Sequence, residues 1–237
     1  MMKDILVKNL SVSYGDQVVF DSFNAVFEGG KINLILGGSG VGKSTLLSAI
    51  AGLVPHSGEV VGVEGGISFI FQKDRLIPSI SVFKNLDLTL KGVVKDKSER
   101  KKMIEDMLSV LEISDCRDKR PTEISGGQAQ RVALARAFLF PSEVVLMDEP
   151  FKALDTALKH RLFDWLLKLE KRSQKTIVFV THAIDECLLA ADNYMVIAGS
   201  PAEIVLEGKI LSDKENRKLT DEEFVEIRQS ILKTLET

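Results

Sequence analysis

Residues 37–45 read Gly-Gly-Ser-Gly-Val-Gly-Lys-Ser-Thr, set between the apolar run Ile32-Asn33-Leu34-Ile35-Leu36 and Leu46-Leu47-Ser48-Ala49-Ile50. An apolar strand, a glycine-rich turn and a helix start in direct succession demand a buried sheet whose strand ends open onto helix N-termini. Gly37, Gly42, Lys43 and Ser44 stand at the spacing of a phosphate-binding loop. Glycines there let backbone N–H groups converge on a polyphosphate with no Cβ in the way. The helix beginning at Lys43 aims its positive end at the same anion. Lys43 reaches β- and γ-phosphates, and the Ser44 hydroxyl suits Mg²⁺, which takes few protein oxygens alongside phosphate. A glycine loop that binds nothing is the alternative, and the flanking strand and helix argue against it. The expected nucleotide contacts are Gly37, Gly38, Ser39, Gly40, Val41, Gly42, Lys43, Ser44 and Thr45.

The rest of the chain bounds the setting. With 237 residues, 45% hydrophobic and 27% charged, it reads as an ordinary globular chain able to bury a substantial core. A net charge of −3 supplies no basic field, so no nucleic-acid partner is expected. Cys116 and Cys187 form no metal-like pair and read as reduced cytosolic thiols. Residues 1–10 lack the apolar stretch of a signal peptide, and no run approaches the roughly 20 apolar residues that cross a bilayer. Any membrane-spanning part must belong to another chain.

Residues 5–14 and 17–27 are β-rich runs parted by Gly15-Asp16, a hairpin signal. The helix after the glycine loop should end near Ala51-Gly52. Residues 59–71, with Gly62 and Gly65-Gly66, predict a second short hairpin ending at Gln72. From Lys73 to about Pro141 the texture is helical, with amphipathic helices over 98–111 and 129–139. Val144-Val145-Leu146-Met147 is a continuous apolar strand, as in a parallel sheet buried on both faces. Helix 156–171, strand 176–181, helix 184–191 and strand 194–197 follow, and Thr220 with Glu223 forms a capping-box pattern opening a helix to about Leu235. The fold class is therefore α/β. It has a P-loop NTPase core of mostly parallel sheet with helices on both faces, an N-terminal antiparallel β subdomain and an inserted α-helical subdomain. Residues 1–72 and 142–212 would make the core, 73–141 the helical insert and 213–237 a helical tail of one domain.

Two further segments narrow the chemistry. The strand 144–147 ends in Asp148-Glu149. Asp148 can hold Mg²⁺ opposite Ser44, and Glu149 can polarise an attacking water. Ile124-Ser125-Gly126-Gly127-Gln128 precedes a helix and offers a second set of N–H groups for an anion. One chain has no use for two such termini on one triphosphate, whereas two chains placed head to tail do. At this point the chain resembles the ATP-binding cassette (ABC) ATPases. Phosphate loop, Gln72, Ser-Gly-Gly-Gln, Asp148-Glu149, Ala153-Leu154-Asp155 and His182 stand in that family's order and cover most of the chain from Tyr14 to His182.

The resemblance implies ATP and Mg²⁺ as ligands. It casts Tyr14 as the aromatic on adenine, Gln72 as a Mg²⁺- and water-sensing glutamine, and Ser44, Gln72 and Asp148 as the metal set. Ser125, Gly126, Gly127 and Gln128 would meet the γ-phosphate held by a second copy, and Asp155 would lie at the seam. Glu149, His182, Lys43 and Gln72 would carry catalysis. Arg131 and Arg136 are expected as structural salt-bridge partners. Ile124 stands where the family has Leu. Ala183 replaces the acid that often follows the histidine, which should alter hydrogen bonding around His182, while Glu186 is kept. The stretch from Lys43 to Gln72 is short for the family, so a trimmed hairpin is expected after Pro55-His56-Ser57-Gly58.

Residues 148–155 and 71–78 resemble importers of nitrate, sulfonates, taurine and thiamine precursors. Leu76-Ile77-Pro78-Ser79-Ile80 either docks a short helix of a membrane subunit or packs beneath the helical insert. The implied function is the ATP-hydrolysing subunit of a bacterial importer at the cytoplasmic face of the membrane. Its expected partners are a second copy, transmembrane permease subunits and, indirectly, a solute-binding protein. An export or lipoprotein-release ATPase and a soluble non-transport member remain as alternatives. The latter is disfavoured by the single cassette and the lack of a sustained heptad run. A non-hydrolysing sensor is disfavoured by Glu149 and His182.

Overall fold

The computed structural model describes residues 2–150 and 156–235. Along the chain run β1 (Ile5–Tyr14), β2 (Gln17–Phe27), β3 (Ile32–Leu36), α1 (Lys43–Ile50), β4 (Ser57–Val61), β5 (Ile67–Ile70), α2 (Val82–Leu90), α3 (Lys97–Val110), α4 (Gly126–Leu139), β6 (Val144–Asp148), α5 (Thr156–Ser173), β7 (Thr176–Val180), α6 (Ile184–Ala190), β8 (Asn193–Gly199), β9 (Ala202–Lys209) and α7 (Glu222–Leu235). Strand composition decides sheet type. β1 and β2 mix buried with exposed positions and pair antiparallel, with β4 on the other side of β1. β3 and β7 are buried at every position, and β6 at all but its last, as two covered faces require. They lie inside a second sheet of order β5-β6-β7-β3-β8-β9, in which β9 alone runs antiparallel to its neighbour.

Strand parity separates two cores. Ile35, Leu146, Val178 and Val180 point toward α1 and the antiparallel sheet, packing with Leu46, Leu47, Phe20 and Phe27. Leu34, Leu36, Met147, Ile177 and Phe179 point the other way, onto apolar residues of α2 to α5 and α7. Each fully buried aliphatic or Phe in these layers contributes about 1.5–3 kcal/mol. α1 stops at a left-handed Gly52 (φ 66°), whose N–H reaches Ala49 O while the Leu53 N–H reaches Ser48 O, a Schellman closure.

Three sequence expectations are corrected. Residues 59–71 form no hairpin: β4 pairs with β1 and β5 pairs parallel with β6, in different sheets. The turn glycines mark the crossing between sheets rather than a reversal. Thr220 and Glu223 form no capping box; the Glu223 carboxylate instead accepts from the Leu211 N–H. Among the described residues Arg131 and Arg136 make no salt bridge. Arg131 donates to the carbonyls of Gly127, Leu111 and Glu112 and lies over Trp165, and Arg136 donates to those of Asp74 and Arg75.

The C-terminus of α4 is held by a buried cation. Lys175, 7% exposed, donates Nζ–H to Phe140 O at 2.5 Å and to Ser142 Oγ at 3.3 Å. Burial pushes its pKa down from 10.5 to about 8. Between those values the unfolded chain keeps a proton that the folded chain has released, so this group makes stability rise with pH. Burial, then Asp115, raises the Cys116 thiol, which gives the opposite slope at alkaline pH, so the comparison must be made against a variant. Lys175→Met is expected to gain stability over wild type near pH 7. Denaturant titrations should show that advantage shrink by about 3 kcal/mol on going to pH 10.5.

Candidate functional site

The parallel register aligns the C-terminal ends of the central strands. Ile35 pairs with Val180, Leu36 with Val196, and Asp148 with Val180. The turns leaving β3, β6 and β7 therefore open at one edge, where ligands of open α/β sheets bind. Gly42 caps α1 at φ 113°, and a Cβ there would lie 2.6 Å from Val19 Cγ1. At Gly37 a Cβ would meet Ile197 O at 2.5 Å, so the loop is threaded where only glycine fits. Lys43, 6% exposed, donates Nζ–H across the loop to Gly37 O at 2.8 Å and Gly38 O at 2.7 Å. These bonds hold the ammonium beside the N-terminus of α1.

Opposite the loop, Ser44 Oγ donates to Asp148 Oδ1 at 2.8 Å. A hydroxyl and a carboxylate side by side form a hard-oxygen pair of the kind Mg²⁺ accepts, with water and phosphate completing its shell. Glu149 follows at φ 43°, a region bulky residues seldom enter, with its N–H fixed to Val180 O at 3.0 Å. The turn swings its carboxylate toward β7, where His182 Nδ1–H donates to Glu149 Oε1 at 3.2 Å. Only that tautomer or the imidazolium can bond to a carboxylate. Thr181 Oγ1 accepts from the Ala183 N–H at 3.1 Å, so the backbone beside His182 is closed without an acid at position 183. The Glu149 side chain is 14% exposed and that of His182 53%, so the pair reaches from the sheet edge into solvent.

The other expected contacts stand apart. Tyr14, at the tip of the first hairpin, is 51% exposed, which removes a core role for its ring. Gln72 is exposed, two residues beyond the end of β5. Ser125, Gly126 and Gly127 open α4. The Ser125 hydroxyl accepts from the Gln128 N–H at 3.3 Å while Gln128 Oε1 accepts from the Ser125 N–H at 2.9 Å. This reciprocal capping box closes the helix start, where Ser125 and Gly126 are exposed and a Cβ at Gly126 would meet nothing within 4 Å. No hydrogen bond among the described residues joins residues 125–128 to the glycine loop. Ala153, Leu154 and Asp155 lie outside the described residues.

Two contributors escape sequence inspection. Thr181 organises the turn after β7, and the threonine directly before His182 is its only local signal. Gln130 ties α4 to the turn after β6 by donating to Pro150 O at 2.7 Å; its spacing from Gln128 gives no hint of that partner. A cleft of about 1020 Å³ opens at the opposite strand ends, among Glu28, Asn33, Asn193 and Lys209. Its polar groups serve one another, with Lys209 Nζ on Glu28 Oε2 at 2.7 Å holding that carboxyl below its usual range. None of the described residues expected at the nucleotide site lines it.

A family model described as ABC transporter matches residues 20–152. An aliphatic sulfonates import ATP-binding protein, SsuB 1 of Paracoccus denitrificans, is 36% identical over 234 residues, covering 98% of this chain and 93% of its own. The nitrate transport protein NasD of Klebsiella oxytoca is 36% identical, covering 87% and 84%. Among solved structures, cbiO1 from Clostridium perfringens, part of the transporter complex cbiONQ, gives a TM-score of 0.80 at 27% identity, covering 96% and 94%. The dimeric cassette MJ0796 in a post-hydrolysis state bound to ADP and Pi gives 0.76 at 28% identity, covering 88% and 100%.

Proposed function

The chain belongs to the ABC transporter family and is one of its ATPase cassettes, and on that premise we propose that it is the energy-coupling subunit of a bacterial solute importer. Two copies would sandwich two MgATP, and their closure would drive separate transmembrane subunits. The observation that carries this reading is the division of the chain into two half-sites. The pairs Ser44–Asp148 and Glu149–His182 converge at one sheet edge, while the capped N-terminus at residues 125–127 is exposed at Ser125 and Gly126 and, among the described residues, makes no hydrogen bond to the glycine loop. A second copy, head to tail, would bring its own residues 125–127 to this edge. The division into a core of 1–72 and 142–212, a helical insert of 73–141 and a tail of 213–237 belongs to the same proposal.

Bound MgATP supplies the transferable γ-phosphoryl group and a divalent charge that neutralises its oxygens. The chain's residues do the rest. Gly37 to Thr45 present N–H groups, Lys43 adds its ammonium, and Ser44, Asp148 and Gln72 would hold the metal. Tyr14 offers an exposed ring for the base. Glu149 accepts the proton of the attacking water, and His182, bonded to it, keeps the carboxylate aimed and meets the γ-phosphate. Closure follows because ATP binds the closed pair better than the open one, which is the only way a ligand shifts such an equilibrium.

Import rather than export is supported by the likeness to the aliphatic sulfonates import protein of Paracoccus denitrificans. Among the described residues no helix is long and apolar enough to cross a membrane, which fits attachment to the cytoplasmic face through permease subunits. Ile77 is 45% exposed, and Asn85 clasps its backbone at both N–H and carbonyl. A groove of about 350 Å³ lined by Phe69, Leu88, Ala137 and Phe140 lies beside Arg136, which holds Arg75 O. Docking of a permease helix here makes Ile77 an anchor. Ile77→Asp is expected to leave hydrolysis in solution unchanged and to abolish copurification with the permease subunits. In the intact complex, hydrolysis should rise when the ligand-loaded solute-binding protein is added. Stimulation by cargo without any binding protein would mean export.

A further inference from the structure

α4 begins at the residues offered to a second copy, and its flank reaches the turn that carries Glu149. Gln130 Nε2–H donates to Pro150 O at 2.7 Å. That carbonyl can only accept, so the amide nitrogen faces it and Oε1 faces away. Oε1 is buried and accepts no hydrogen bond among the described residues. A buried orphan acceptor costs stability, and a methyl group in its place would not. Packing therefore does not account for an amide at this position, whereas the contact to Pro150 does.

The contact has leverage. The Glu149 N–H is fixed to Val180 O, its φ is 43°, and the proline ring locks the next φ. Holding Pro150 O pins the remaining end of this short turn, so the Glu149 backbone is clamped between β7 and α4. The same helix holds the segment after Gln72 through Arg136, bonded to Asp74 O at 2.7 Å and Arg75 O at 2.8 Å. A shift of α4 is thus felt at both turns of the edge.

We propose that Gln130 is a positioning residue that couples the pose of residues 125–127, set by the nucleotide of the partner copy, to the orientation of Glu149 in the chain's own site. This rests on the sandwich reading above. Each chain then fires its own site only when its α4 is engaged across the pair.

Gln130→Met keeps length and volume while removing both the donor and the orphan acceptor. The expected result is an equal or higher thermal midpoint, unchanged MgATP affinity and KM, a kcat about tenfold lower, and a Hill coefficient for ATP falling toward one. Gln130→Glu places a carboxylate against the carbonyl and should show the same loss near neutral pH. Its kcat relative to wild type should recover as pH falls, because a protonated carboxyl donates again. Wild-type kcat and Hill coefficient in Gln130→Met, or a loss in Gln130→Glu that is equal at every pH, would overturn the coupling. So would a midpoint that falls together with kcat, since that is the mark of a merely structural residue. Glu149→Gln run alongside separates the two readings. If it keeps turnover, the catalytic assignment fails; if it is dead while Gln130→Met is fully active, only the coupling fails.

Discussion

Glu149→Gln is expected to end ATP turnover while leaving a stable MgATP-bound pair of chains. The substituted amide has the shape of the carboxylate and can still meet His182 Nδ1–H through its oxygen, so the turn held to Val180 O should persist. What disappears is the basic oxygen. General-base assistance contributes roughly 10²- to 10⁴-fold, so kcat should fall by at least about a hundredfold with MgATP affinity unchanged. Because only hydrolysis reopens the pair, MgATP should then accumulate closed dimers, and small-angle scattering should report twice the 26.2 kDa mass of one chain. Hydrolysis near the wild-type rate would remove Glu149 from the base role. A strictly monomeric variant at saturating MgATP, even beside the permease subunits, would remove the sandwich.

The parts of the site that are local in sequence were legible, and those that depend on tertiary choice were not. Strand, glycine loop and α1 follow one another, and Gly42 and Gly52 carry backbone conformations that glycine announces directly. Buried parallel strands announce themselves by unbroken apolar runs, as β6 and β7 do. The segment 59–71 misled because turn glycines look the same whether a chain reverses or crosses to another sheet. Only the long-range pairing of Val60 with Val7 and of Ile70 with Met147 decides. Arg131 and Arg136 misled similarly, because a guanidinium that finds carbonyls at helix and turn ends needs no carboxylate. At the head of α4 the Ser-x-x-Gln spacing is itself a capping signal, and the structure uses the Ser125 hydroxyl for that purpose. The anion recognition proposed for residues 125–127 would therefore fall mainly to the freed N–H groups of the helix end.

Lys43→Ala is expected to weaken nucleotide binding itself, in contrast to the purely kinetic loss at Glu149. The ammonium is buried, held by Gly37 O and Gly38 O at the lip of α1, and aligned before any phosphate arrives. Such preorganisation means that little side-chain freedom is lost on binding, so the charge-assisted contact to phosphate retains most of its worth. One contact of this class is worth about 1.5–3 kcal/mol, and the loss of the cation should weaken MgATP binding by roughly 10- to 150-fold. Titration calorimetry with MgATP measures this, and a thermal midpoint within a few degrees of wild type separates it from misfolding. The truncation also leaves two loop carbonyls without that donor, so a modest fall in the nucleotide-free midpoint should accompany it. Lys43→Arg should not restore affinity. A planar guanidinium cannot place a compact point charge on both carbonyls within the space bounded by Gly37, Gly38 and the start of α1. Unchanged ATP affinity in Lys43→Ala would mean that the loop does not hold the phosphates, and the assignments of Ser44, Asp148 and Glu149 would fall with it.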